Sequence, residues 1–412
     1  MRCFARRSLP IAIAVLVAAA LAGCGKSAAT GASQVTGGGP TRKLAPVAAQ
    51  GAVSLATRNT TRLGGVDAAA DAAAVARAVY PGLTAATRPL AVVLADTHDL
   101  LPALAASVLA GAPTGAPILF SEGETLPAVS AQTLQAMHPL GAPRLGGAQV
   151  IALGAAAAPA GYPTRTLAVS TPATTAAAIA RLALTLDGAN APHQVIVLAD
   201  DTPPALAMPA AGLAAESGAP ILFVTPAGVP TPTAATLSSL HGPSIYVIDA
   251  AAIEHQTLDE LGRFGHVVTI TAGEAPATGE GAVQSAIEVA RFIHGTFGWG
   301  VKEPGHGLVF VNAGRPLDAP ASALLSASGD YGPLLLLASA AKVPEALSKY
   351  LSDIKPAYSN PQFPPVRGAY NHGWLIGNES AITAVTQAEI DSTLEIVPRA
   401  QTSEESPASQ VE

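Results

Sequence analysis

A chain of 412 residues is longer than one average domain, so two or three domains are expected. With 49% hydrophobic and only 12% charged residues it is not a mainly disordered chain. A net charge of −7 excludes a general nucleic-acid binder, which needs clustered Lys and Arg to meet phosphates.

The chain opens on Arg2, Arg6 and Arg7, followed by an apolar run over 9–21 and then small residues. This is the pattern of a secretion signal, and the run is shorter than the ~20 apolar residues of a membrane span. Leu21-Ala22-Gly23-Cys24 resembles the bacterial lipobox, in which the cysteine is joined to diacylglycerol and the signal is cut before it. Residues 1–23 are therefore expected to be a signal peptide and Cys24 a lipidation site. That places the mature protein on the exported, extracellular side of the cell membrane, with the membrane itself as a partner. Cutting removes three arginines and no acid, taking the charge from −7 to −10. It also removes Cys3, so no intrachain disulfide is expected. Residues 24–52, rich in Gly, Ser, Thr, Ala and Pro, read as a flexible linker, and 399–412 as a disordered acidic tail.

Between these ends one pattern recurs roughly every hundred residues. An apolar run at 90–96 and an alanine-rich stretch lead to Gly115-Ala-Pro-Ile-Leu-Phe; a run at 195–200 leads to Gly218-Ala-Pro-Ile-Leu-Phe; a run at 308–312 leads to Gly332-Pro-Leu-Leu-Leu-Leu. Helices precede the first runs, with apolar spacing of three and four at Ile179, Leu182 and Leu186, and at Val283, Ile287, Ala290 and Ile293. The runs are too apolar to alternate, as in strands buried on both faces. Further strands are predicted at 150–153, 245–248 and 374–376. Strands alternating with helices imply parallel sheets with right-handed crossovers. The predicted class is α/β, a parallel-sheet unit repeated three times over 53–163, 164–265 and 266–398, the third with longer loops. Each repeat is long enough to hold a small core of its own.

The repeats resemble the second type of cell wall-binding repeat, found in threes in surface proteins of Gram-positive bacteria. Its arginine-led start appears as Arg62-Leu63-Gly64-Gly65-Val66-Asp67, followed by an alanine-rich helix. The strand, helix and Gly-Ala-Pro-Ile-Leu element is present in all three copies, and the last motif appears as Ile376-Gly377-Asn378-Glu379-Ser380-Ala381-Ile382-Thr383. The family's helix-start aspartate is kept as Asp318, whereas Pro102 and Pro204 stand in its place in the first two copies. The resemblance implies three Rossmann-like units around a pseudo-threefold axis, and non-covalent attachment to anionic cell-wall polymer through clefts between units. A polyanion wants cationic clefts. The one stretch with a basic surplus, 42–88, sets Arg42, Lys43, Arg58, Arg62, Arg77 and Arg88 against Asp67 and Asp71.

Asp96-Thr97-His98-Asp99 and Asp200-Asp201-Thr202 fall at the ends of first strands, where helix capping or a divalent cation would use them. The nine histidines make no HExxH and no paired metal spacing, and the chain lacks a Gly-x-Ser-x-Gly elbow, a phosphate loop and a dinucleotide fingerprint. No cofactor, metal or catalysis is expected. Ten of the seventeen aromatic residues lie in the third copy, including Trp299 and Tyr370, with Arg367 nearby on a proline-rich loop. Rings and Arg on loops suit stacking on sugars or seating a partner, or else fill faces between copies one and three. The ligand-binding candidates are Arg62, Trp299, Asp318, Arg367 and Tyr370. The expected function is non-catalytic binding of envelope polymer or scaffolding, with a transporter's substrate-binding lipoprotein as the alternative and a divergent enzyme as the third.

Overall fold

The computed structural model describes residues 52–398 apart from 155, 157–158, 271–278, 328–330 and 359–368. Cys24, the signal, nearly all of the linker, the acidic tail and Arg367 thus lie outside the described residues.

The chain enters as an antiparallel hairpin, β1 (Ala52–Ala56) and β2 (Thr60–Gly64). Unit 1 continues with α1 (Ala68–Val79), β3 (Val92–Asp96), α2 (Leu100–Ala106), β4 (Ile118–Ser121), α3 (Ala128–Met137), β5 (Val150–Leu153) and β6 (Thr164–Leu167). Unit 2 comprises α4 (Pro172–Asp187), β7 (Gln194–Ala199), α5 (Pro204–Ala207), α6 (Pro209–Ser217), β8 (Ile221–Val224), α7 (Thr231–Ser239), β9 (Ser244–Val247), α8 (His255–Leu261) and β10 (His266–Thr269). Unit 3 comprises α9 (Gly279–Arg291), β11 (Gly307–Asn312), α10 (Asp318–Ser326), β12 (Tyr331–Leu337), α11 (Glu345–Asp353), β13 (Ala357–Tyr358), β14 (His372–Ile376), α12 (Ala384–Leu394) and β15 (Val397–Pro398).

Among the described residues the same sheet is built three times. The strand orders are β4-β3-β5-β6, β8-β7-β9-β10 and β12-β11-β14-β2, all parallel, with β1 added antiparallel at the edge of the third. The fold is therefore α/β with three Rossmann-like parallel sheets. The central strands are buried along almost their whole length, which is why they read as unbroken apolar runs.

The fourth strand of each sheet is the informative one. In the first two sheets it is β6 or β10, the strand that leads into the next unit. In the third it is β2, from the far end of the chain, paired with β14 as Thr61 to Trp374, Arg62 to Leu375 and Leu63 to Ile376. The strand that opens each sequence repeat is thus hydrogen-bonded into the preceding sheet, and the N-terminal strand closes the ring. The helix after each fourth strand then packs on the next sheet: α1 on β4, α4 on β8 and α9 on β12.

At the centre, α2 with the 3-10 turn Ser107–Ala110, α6 and α10 pack against one another. They meet through small residues such as Ala103, Ala106, Ala210, Ala214, Ala319 and Ala323, all buried. The approach is close enough that a Cβ on Gly111 would collide with the carbonyl oxygen of Ala215. One core runs through all three units, and a second, smaller cluster around Val195, Val197, Leu222 and Ile245 stays within unit 2. Length would allow each repeat a core of its own, and among the described residues unit 2 has such a cluster beside the shared one. Alanine-rich helices bury too little apolar surface alone and share it at the centre. A correction concerns Ile293: α9 ends at Arg291 and Ile293 is 55% exposed. Among the described residues no helix is long and apolar enough to cross a membrane.

Candidate functional site

Loops that follow β2, β11 and β14 meet at the C-terminal edge of the third sheet, the edge where parallel sheets ordinarily hold ligands. Here the chain fills that position itself. Gly64, at φ +149°, turns the chain out of β2 where a Cβ would strike the Asp71 carboxyl and the Gly377 backbone. The Gly65 N–H donates to Asp71 Oδ1 at 2.6 Å. From the loop before α10, Arg315 donates through Nε to Asp318 Oδ2 at 2.7 Å and through Nη2 to Asp71 Oδ2. Asp71 is 0% and Asp318 1% exposed. Burial pushes the Asp71 carboxyl up to about 8, with the Asp318 charge adding to it and the Gly65 N–H and Arg315 opposing. Burial raises Asp318 as well, against the pull of Arg315.

Arg62 lies beside this group and is 1% exposed. Its guanidinium donates to Gln387 Oε1 at 3.1 Å and to the carbonyls of Gly377 at 3.0 Å and Asn378 at 2.9 Å. Gln387 in turn donates to Thr60 Oγ1 at 3.0 Å. The structure thus brings two of the sequence candidates, Arg62 and Asp318, to one edge, and there they bind chain rather than solvent.

Trp299 and Tyr370 sit at the opposite edge, in the loops that enter β11 and β14. The Trp299 ring faces Tyr331 with centroids 6.2 Å apart, and its Nε1 is buried with no partner among the described residues. Tyr370 is 57% exposed. Next to it, buried Asn371 accepts from the Gly305 and His306 N–H groups at 2.9 and 3.2 Å and donates to the Ile354 carbonyl at 2.9 Å. Of the two segments that lengthen unit 3, the one before β11 packs on unit 2, and 359–368 of the other lie outside the described residues. In the first, the Phe297 ring stacks on Tyr246 of β9 with centroids 3.7 Å apart, and His294 Nδ1 lies 3.0 Å from Tyr246 Oη. The loop straps unit 3 to unit 2.

A cleft of about 590 Å³ lies between units 1 and 2. Turns that enter the strands line it: Leu90, Ala112 to Thr114 and Ala142 to Arg144 from unit 1; Leu186, Asp187, Asn190, Pro192 and Glu216 to Gly218 from unit 2. Arg144 is exposed at its mouth and donates to the Leu186 carbonyl at the end of α4. Burial raises the Asp187 carboxyl, with the Arg144 charge opposing. A shallower hollow of about 310 Å³ adjoins the same turn, between Leu145, Gly146 and Ala148 and the start of β6. None of the sequence candidates among the described residues lines this cleft. A signal was present in the Ala-Pro pairs at 112–113, 142–143 and 191–192, each set just ahead of a strand.

The acidic strand ends behave differently from simple caps. Asp96 accepts from the His98 and Gly123 N–H groups at 3.0 and 3.2 Å and lies 2.7 Å from His98 Nδ1, so it ties two loops together. Asp99, at the head of α2, makes no capping bond, and Thr202 Oγ1 is buried without a partner among the described residues. Burial, and after it the Asp201 charge, raises both Asp200 and Asp249. No three His, Cys, Asp or Glu side chains gather as metal ligands among the described residues.

The ring of sheets is shared with two solved structures. Cwp8 from Clostridium difficile matches over 82% of this chain and 52% of its own, with 16% identity and a TM-score of 0.60. Cwp6 from Clostridium difficile matches over 84% of this chain and 50% of its own, also with 16% identity, at 0.61. The chain therefore spans about half the length of each. At that identity the likeness is one of fold. No family model matches the sequence, and no curated protein matches it.

Proposed function

We propose that this is an exported surface protein, tethered through an acylated Cys24, whose three-unit body binds cell-envelope polymer without catalysis. The observation that carries the reading is the fold, held in common with the C. difficile cell wall proteins Cwp8 and Cwp6 over more than four fifths of the chain. The repeat motifs around Arg62, Asp318 and Ile376 support the same reading. A transporter's binding protein would be built as two lobes about one hinge, whereas this chain forms three like sheets on a common core. An enzyme of this class would keep the C-terminal edge open for substrate, and in the third sheet Arg62, Asp71, Arg315 and Asp318 occupy it.

The cleft between units 1 and 2 is the binding site proposed. It offers prolines and aliphatic carbons for the faces of sugar rings, with Asn190 and Arg144 as hydrogen-bond donors. One arginine stands against Asp187 and Glu216, a balance that suits a neutral or mixed-charge glycan better than a polyanion.

The test is co-sedimentation of the protein lacking residues 1–24 with its own purified cell walls over a salt series. Pelleting that persists at high salt is expected, together with loss of pelleting on Asn190→Trp at the cleft mouth. Protein that stays in the supernatant at low salt overturns the reading. Pelleting that vanishes with modest salt points to a polyanion instead.

A further inference from the structure

The junction of α1 with α10 holds a charge count that does not balance. Two carboxyls, Asp71 and Asp318, face one guanidinium, Arg315, and both are excluded from solvent. Three of the four carboxyl oxygens have donors: Gly65 N and Arg315 Nη2 for Asp71, and Arg315 Nε for Asp318 Oδ2. The fourth, Asp318 Oδ1, is buried with no donor, and the one Arg315 guanidinium they share holds the two carboxyls beside each other. A proton retained by the pair supplies the missing donor and makes the group neutral. Without it, a net negative charge is left in a dry interior, which is costly.

We propose that this junction is a proton-dependent latch: one proton shared by Asp71 and Asp318 holds the N-terminal hairpin and α1 in the ring, and its loss loosens them. The position is what gives the pair this role. Asp71 rides on α1, directly after the strand that closes the third sheet, and Asp318 heads the central helix α10. The other charged group that acts on the pair is Asp67 at the head of α1, whose negative charge adds to the repulsion. Arg62 and Glu379 act on each other one strand further along. Of the elements packed on α1, α3 and β4 carry no ionisable side chain. α6, packed on α10, brings Glu216, which lines the cleft described above.

The sign follows from linkage. The closed junction keeps a proton that an opened one releases, so closure is tightest below the ordinary carboxylate range. It weakens as pH rises from about 4, by up to tenfold in the opening constant per pH unit, until the pair loses its proton near pH 8. Above that the opening constant levels off.

Amide hydrogen exchange of the full-length chain in detergent, corrected for the intrinsic effect of pH, reads this directly. Opening of residues 60–79 should rise several-fold per unit from pH 5 to 8 and then flatten, while β7 in unit 2 should not change. Asp71→Asn and Asp318→Asn each put a neutral amide where a shared proton is needed, and each should remove most of the slope. The latch is refuted by an unchanged slope in both variants, or by β7 opening in step with residues 60–79. It is refuted equally if neither variant folds, since a neutral group at this place is what it requires.

Discussion

Arg62 illustrates how a surface-type residue becomes structural. Burying a guanidinium is tolerated because Gln387 and the carbonyls of Gly377 and Asn378 surround it with acceptors. Arg62→Met should cost about 3 kcal/mol in a denaturant titration, since carbonyls left without donors cost roughly 1–3 kcal/mol apiece and some relax toward water. Lysine should recover only part of the loss, because it lacks the planar fork that reaches several acceptors at once. Asn371 works similarly at the other edge, where its amide joins the loop before β11 to the end of α11. Asn371→Leu should lower stability by about 2 kcal/mol, measured the same way. From sequence alone Arg62 could be picked out but not its role, because all three acceptors lie over three hundred residues along the chain.

Among the elements, strands buried on both faces were legible, including β4, β8 and β12 at one edge of each sheet, and the half-exposed fourth strands were not. The runs that became β3, β7 and β11 are too apolar to be anything but core strands. β6 and β10, by contrast, are four residues each, half exposed and carry Thr, Arg or His, so no hydrophobic signal marks them. β2 is buried, yet its partner strand lies across the whole chain, with Thr61 and His372 separated by 311 positions. The Ala-Pro pairs marked the turns of the cleft, but the cleft itself was illegible because turns of two units make it jointly. Packing of the central helices gives a sharp test. Gly111→Ala would drive a methyl group into the Ala215 carbonyl, and a loss of about 1–3 kcal/mol is expected from thermal melts. Deleting residues 52–64 should have a local effect, leaving β14 with an unpaired edge. Limited proteolysis should then cut unit 3 well before unit 2.

For the molecule as a whole, the shared core predicts cooperativity. Three independent units would melt in steps, but the helices at the centre belong to all of them at once. Calorimetry of the protein lacking residues 1–24 should give one dominant transition whose van't Hoff and calorimetric enthalpies agree. Two or more resolved peaks would mean the units are coupled more weakly than their packing implies.

The pairing of β2 with β14 also sets an order of events. β2 is made some three hundred residues before the strand it pairs with. Until residues 372–376 emerge, the third sheet lacks the strand on which β2 docks, and Arg62 has none of its acceptors. If the chain is exported as proposed, this late closure would leave it open enough to thread a narrow translocation channel and let it lock only after passage.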